Sequence, residues 1–312
     1  MIKIENLTKH FGEIRAVDGI SFEVQEGEIY GLLGPNGAGK TTTLSMLAGL
    51  LLPDDGRILF AGLELAGHAL EIKRKLGVVP QETALYEELT ARENLRFWAG
   101  LHGLSGEPLK EAVDGVLEKV GLTGRADTAV KKYSGGMKRR LNLSLGLVHR
   151  PQVLLLDEPT VGIDPQARVN ILEVVRDVAA AGTTVLYTTH YLEEAEALCD
   201  RIAIMDHGKL LAEGTLEELK RMVGEEEIVT VSGTFDGEQA QEAQARLGEI
   251  DAVRVLSAEA GRIVLSAAGD GRGAVQLLER VFEHGLAVEG VSIRPPSLNS
   301  LFLKLTGKEL RD

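Results

Sequence analysis

Eight residues, Gly34-Pro-Asn-Gly-Ala-Gly-Lys40-Thr41, constrain this chain more than any other stretch. Gly34 and Gly39 frame four residues, and a lysine and a threonine follow, which is the spacing of a phosphate-binding loop. The candidate contacts are Gly34, Pro35, Asn36, Gly37, Ala38, Gly39, Lys40, Thr41 and Thr42. Glycine lets backbone N–H groups turn toward phosphate oxygens. Lys40 brings a positive charge to the β and γ phosphates, and the Thr41 hydroxyl can ligate Mg²⁺. Gly27 to Gly34 reads as a buried strand entering the loop, and Thr42 to Leu50 carries a helical pattern. The positive end of that helix adds to the anion site.

A second short apolar run, Val153 to Leu156, ends in Asp157-Glu158-Pro159. Two acids at the end of a buried parallel strand face a site, and successive residues point to opposite sides, so they do different work. Asp157 reads as an outer partner of Mg²⁺, and Glu158 as the group that polarises an attacking water. Thr183 to Thr188 is a third such strand, closed by His190. Up to about residue 222, β-branched runs alternate with longer helical patterns, which predicts an α/β fold with a mostly parallel sheet. Capping boxes at Thr90/Glu93 and Thr215/Glu218 mark two helix starts.

The chain has 312 residues, room for two domains. Its net charge of −13 excludes a general grip on nucleic acid, which needs a basic face. No apolar run reaches the roughly 20 residues that span a bilayer, and the N-terminus does not read as a signal peptide. Cys199 is the single cysteine, so an intrachain disulfide and a multi-cysteine zinc site are excluded. The expected compartment is a reducing cytoplasm, with any membrane role carried through a partner chain.

The third motif is Tyr133-Ser134-Gly135-Gly136-Met137, followed by Lys138-Arg139-Arg140. A hydroxyl and two glycines at a helix start form an anion site. Here the chain resembles the ATP-binding cassette ATPases that power ABC transporters. Their signature is Leu-Ser-Gly-Gly-Gln, upstream of the acidic strand; Tyr133 replaces its leucine and Met137 its glutamine. The resemblance implies that Ser134, Gly135, Gly136 and Met137 meet the γ-phosphate of ATP held by a second subunit. Phe11, with Val17 close behind, matches the aromatic that stacks on adenine. Gln81 matches the glutamine that reaches Mg²⁺ and the water, and Asp164 the loop that crosses the dimer interface. His190 matches the histidine that contacts the γ-phosphate. The segment from about Ala84 to Lys132 resembles the helical subdomain that docks on membrane chains, with one of Phe97 and Trp98 expected to pack between helices. An antiparallel β subdomain is part of the same fold.

The acidic triplet Glu225-Glu226-Glu227 predicts a boundary between domains at 1–222 and 225–312. In the second part, Ile228–Val231, Val253–Leu256, Arg262–Ser266 and Val288–Ile293 read as strands. Glu238–Leu247 and Gly273–Phe282 read as helices, and the order β-α-β-β-α-β predicts a small ferredoxin-like α+β domain. In the tail, Ser297 can cap a helix whose apolar face is Leu298, Leu301, Phe302 and Leu305, ended by Gly307. This tail resembles the drug-export and sodium-export subfamily, with two roles open, dimerisation and ligand sensing. The resemblance implies an exporter's ATPase subunit that binds ATP and Mg²⁺, forms a homodimer or pseudo-homodimer, and drives an integral-membrane permease from the inner face of the cell membrane. A soluble ABC-type ATPase without a transport role is the alternative.

Overall fold

The computed structural model describes residues 1–223, 226–247, 253–268, 287–294 and 297–306. The chain forms two compact units, Met1–Glu213 and Gly214–Asp312.

In the first unit a six-stranded sheet is the spine. Strands β3 (Ile29–Leu33), β6 (Leu76–Val79), β7 (Val153–Asp157), β8 (Thr184–Thr189) and β9 (Arg201–Asp206) run parallel, and β10 (Lys209–Gly214) closes one edge. The order is β10-β9-β3-β8-β7-β6. Every residue of β3, β7 and β8 is buried, as expected of central strands covered on both faces. The two-residue period sorts β7 between two cores. Leu154 and Leu156 pack toward α5 (Gly135–Leu147) and α6 (Pro165–Ala180). Val153 and Leu155 pack on the opposite side with α1 (Lys40–Leu47).

That second core also takes in an antiparallel sheet, order β2-β1-β4-β5, formed by β1 (Ile2–Phe11), β2 (Ile14–Val24), β4 (Asp55–Phe60) and β5 (Leu63–Glu64). Ile2, Ile4 and Leu7 supply its buried face. Helix α2 (Leu65–Arg74) follows β5. Helices α3 (Ala91–Leu101) and α4 (Gly106–Lys119) pack with α5 around Leu95, Val113 and Leu117. The Thr90/Glu93 capping box is present at α3. Trp98 packs against this core, whereas Phe97 is exposed and meets Tyr86 and Trp98 edge-on.

The second unit begins earlier than the acidic triplet implies. Helix α8 (Leu216–Val223), with its Thr215/Glu218 capping box, belongs to it because the helix packs on the C-terminal one, a tertiary contact invisible to local charge. Between α6 and α8, α7 (Leu192–Leu198) packs beside β8. An antiparallel sheet, order β12-β13-β11-β14, is built from β11 (Glu226–Gly233), β12 (Val253–Glu259), β13 (Arg262–Ala268) and β14 (Val288–Arg294). This strand order is compatible with the split βαβ expectation. One sheet face, with Val229, Val231, Ile263 and Leu265, covers α9 (Gly237–Leu247); Ile228 and Val264 meet Leu303 on the other. The expected helix at 273–282 and the stop at Gly307 lie outside the described residues. Ser297 does cap α10 (Leu298–Thr306), its Oγ accepting from the Ser300 N–H at 3.2 Å. Leu298, Leu301 and Phe302 are buried, but Leu305 is exposed and Leu303 is buried instead. The helix is covered on more than one side, so the i, i+7 stripe underestimates its buried face.

Candidate active site

The parallel strands β3, β7 and β8 end side by side, and their C-terminal ends carry the chemistry, as in open α/β sheets. The chain leaves β3 into Gly34, whose N–H donates to the Thr189 carbonyl at 3.2 Å. A Cβ at Gly34 would lie 2.1 Å from the Met205 carbonyl oxygen, so only glycine fits. Gly39 has φ +106° and precedes α1, whose first turn has no side-chain cap and no acid. The helix start is therefore open to an anion.

Lys40 is buried, and its Nζ donates to Gly34 O at 2.7 Å and Pro35 O at 3.0 Å and pairs with Glu158 Oε1 at 3.0 Å. Glu158 Oε2 lies 2.9 Å from His190 Nδ1. Thus Lys40, Glu158 and His190 form one continuous chain. Beside it, Asp157 Oδ1 accepts from Thr41 Oγ1 at 3.1 Å and Thr188 Oγ1 at 2.7 Å. Burial raises the pKa of Asp157, and the two hydroxyl bonds oppose that rise. Glu158 itself has φ +43°, left-handed for a non-glycine residue, and its N–H is held by Thr188.

A cleft of about 440 Å³ opens over these groups. Phe11, Asn36, Gly37, Gly39, Lys40 and Thr41 line it, with Thr42, Gln81 and Glu158. Phe11 is 49% exposed, so its face is available. Val17 does not line the cleft; it is fully buried in the core, and its neighbour Ala16 lies at the wall, because alternation along β2 turns Val17 inward. Pro35 and Ala38 contribute backbone: Pro35 O accepts from Lys40 and Ala38 O from Gly208. Thr188, Arg15 and His207 also belong to this neighbourhood and were not singled out from sequence. The hard oxygen donors Thr41, Asp157 and Gln81 form a set that suits Mg²⁺.

The signature residues are absent from the lining of this cleft. Ser134 caps α5, its Oγ accepting from Met137 N–H at 3.3 Å. Asp164 caps α6 through the Ala167 N–H, and Gly136 approaches Ala167 so closely that a Cβ there would lie 2.7 Å from the Ala167 Cβ. Tyr133, in place of leucine, is buried with its hydroxyl on the Arg125 carbonyl, so its role here is packing. Arg139, five residues beyond Ser134, is also buried.

Residues 17–161 match the family described as ABC transporter, and residues 214–306 match the C-terminal domain described as ATP-binding protein DrrA1-3-like. The linearmycin resistance ATP-binding protein LnrL of Bacillus subtilis is 45% identical over the whole of both chains. The daunorubicin resistance ATP-binding protein DrrA3 of Streptomyces coeruleorubidus is 40% identical, with 99% of this chain and 97% of that one covered. The Nod factor export ATP-binding protein I of Ralstonia nicotianae is 39% identical, with 100% and 95% covered. Among solved structures, an ATP-binding subunit of an ABC transporter superposes with TM-score 0.66 at 32% identity, over 72% of this chain and 93% of the other. A dimeric ATP-binding cassette bound to ADP and Pi superposes with TM-score 0.64 at 27% identity, over 69% and 99%. With full-length relatives at this identity, and a phosphate loop, acidic strand end and signature on the matching fold, the chain belongs to the ATP-binding, ATP-hydrolysing subunits of ABC transporters.

Proposed function

We propose that this subunit closes with a second copy around two Mg-ATP and drives an integral-membrane permease that exports its cargo. The observation that carries the reading is the Lys40–Glu158–His190 chain beside Thr41–Asp157 at the floor of the cleft. Phe11 stacks on adenine, and the loop N–H groups and Lys40 hold the phosphates. Thr41 and Gln81 would hold Mg²⁺, with Asp157, which accepts from the Thr41 hydroxyl, supporting them. When bound, the ion neutralises charge on the phosphate oxygens. Lys40 holds Glu158 Oε1 in the structure, so drawing Lys40 to phosphate frees that oxygen to accept a proton from water. His190 is then near enough to Glu158 to reach toward the γ-phosphate side. Ser134, Gly135, Gly136 and Met137 serve the partner's nucleotide, with Asp164 at the interface; their position outside their own cleft supports this. The dimeric cassette of similar fold supports the pairing.

The relatives' names, resistance to linearmycin and daunorubicin and export of Nod factor, support export. Among the described residues no helix is long and apolar enough to cross a membrane. In this reading the cargo path belongs to another chain and this one works from the inner face of the cell membrane, as the relatives' names as ATP-binding proteins of export and resistance support. We assign the docking of that chain to the helical subdomain at about 84–132. A second cavity, of about 310 Å³, lies between it and the core, lined by Leu50, Ala84, Trp98, His102, Asn142 and His149 among others. Two buried polar atoms in its lining residues, Trp98 Nε1 and His149 Nδ1, have no partner among the described residues. His149 donates from Nε2 to the Leu76 carbonyl, so its Nδ1 is an acceptor; burial and the neighbouring His102 push its pKa down to about 4 and keep it neutral. A docking segment can satisfy both atoms.

Leu50, 74% exposed at the rim, is the test position. Co-expressed with the permease it drives, Leu50→Glu should lower co-purification about tenfold or more, the scale of an interface anchor. Turnover by the free subunit should not change. Undiminished co-purification would contradict the docking assignment. The C-terminal unit we assign to holding the dimer.

A further inference from the structure

Arg139 follows the signature in a run of three basic residues, Lys138-Arg139-Arg140. In the structure it is 5% exposed. Among the described residues its guanidinium has no hydrogen-bonded carboxylate partner; it forks onto three backbone carbonyls. Nε donates to Pro159 O at 2.6 Å, one terminal nitrogen to Glu158 O at 2.5 Å, and the other to Gln81 O. Three of its five N–H donors are used in this way, one on each nitrogen, a match to the planar geometry of arginine's fork.

What the fork holds is the backbone of the acidic strand end and of Gln81. Glu158 adopts φ +43°, a conformation that an L-residue with a side chain takes only under constraint. Its N–H is fixed by Thr188, and its own carbonyl and the next one are fixed by Arg139. The residue is thereby pinned from both sides, with its carboxylate between Lys40 and His190. The third prong fixes the backbone of Gln81, which lines the same cleft. Arg139 rides on α5, about 7.5 Å along the helix from Ser134 at a rise of about 1.5 Å per residue. A helix moves as a rod over that distance, so a shift at the signature end is felt at both carbonyl clamps.

We propose that Arg139 is a positioning residue that holds Glu158 in its left-handed conformation and ties Glu158 and Gln81 to the signature helix of the same chain. This rests on the reading of Glu158 as the group that polarises water. Through Arg139, a helix whose start meets one nucleotide sets the geometry of the carboxylate that acts on the other.

The test measures steady-state ATP turnover in the full chain for Arg139→Met and Arg139→Lys, alone and combined with Glu158→Gln. Methionine keeps the stem and removes the fork. Lysine keeps the charge but satisfies fewer of the three carbonyls. Arg139→Met should lower kcat about 10²-fold, the scale of a small misplacement of a reacting group, with KM for ATP unchanged. Arg139→Lys should fall between it and the parent chain, and it carries the test if thermal melting shows that the methionine variant does not fold. In the Glu158→Gln background either substitution should cost much less than it does in the parent chain, because the main group it positions is already gone and only its hold on Gln81 is left to lose. Losses that multiply with Glu158→Gln, or a normal kcat in Arg139→Lys and Arg139→Met, would overturn the proposal. A Glu158→Gln chain with normal turnover would instead sink the role given to Glu158.

Discussion

Glu158→Gln should bind ATP normally and turn it over about 10²–10⁴-fold more slowly, the usual cost of losing a general base. Glutamine matches glutamate in shape, so the amide can still accept from Lys40 through its oxygen and occupy the same buried site. What it cannot do is take a proton from water. Binding and closure are left intact while hydrolysis stalls, so the variant should accumulate as an ATP-bound dimer during size-exclusion chromatography. A monomeric variant with unchanged turnover contradicts the role.

Lys40→Ala should weaken ATP binding on the order of 10²–10³-fold, read by nucleotide titration, because it removes a charged partner from a desolvated site. The lysine Nζ is the cation that the phosphate loop itself supplies, and it already bridges loop carbonyls and Glu158 across the cleft floor. Its loss takes away both the phosphate contact and the cation next to a buried carboxylate. Unchanged nucleotide affinity would sink the phosphate-loop assignment.

These expectations come from residues whose type and spacing are dictated by chemistry, which is why they were legible in the sequence. A loop that must bring backbone to phosphate needs glycine where a Cβ would strike Met205 or Ala16, and Gly34 and Gly39 stand there. An apolar run that ends in acid reads as a central strand, and β7 and its pairing with β8 bring Asp157, Glu158 and Thr188 together. Long-range packing was not legible in the same way. Nothing local distinguishes Arg139 from Lys138, yet Gly136, Arg139 and Leu143 are all buried along α5 at helical spacing, the one signal that marks Arg139 as inward. The left-handed turn at Glu158 had no glycine to announce it. Val17 and Ala16 exchange places because the register of β2, and not its composition, decides which faces the cleft. The capping box at Thr215 located the start of α8, but its allegiance to the second unit depends on packing against α10.

The central claim is that each catalytic site takes its phosphate loop from one chain and its signature from the other. Mixing Lys40→Ala with Ser134→Arg tests it most directly. Each variant alone should be inactive, one for want of a phosphate contact and the other because arginine at the α5 cap would stand where the partner's γ-phosphate belongs. In the mixed dimer one site carries both lesions and the other carries neither. The account predicts that ATP hydrolysis returns on mixing, in proportion to the heterodimer formed. If heterodimers form, as cross-linking or differential tagging can establish, and no activity returns, the signature does not act across the interface.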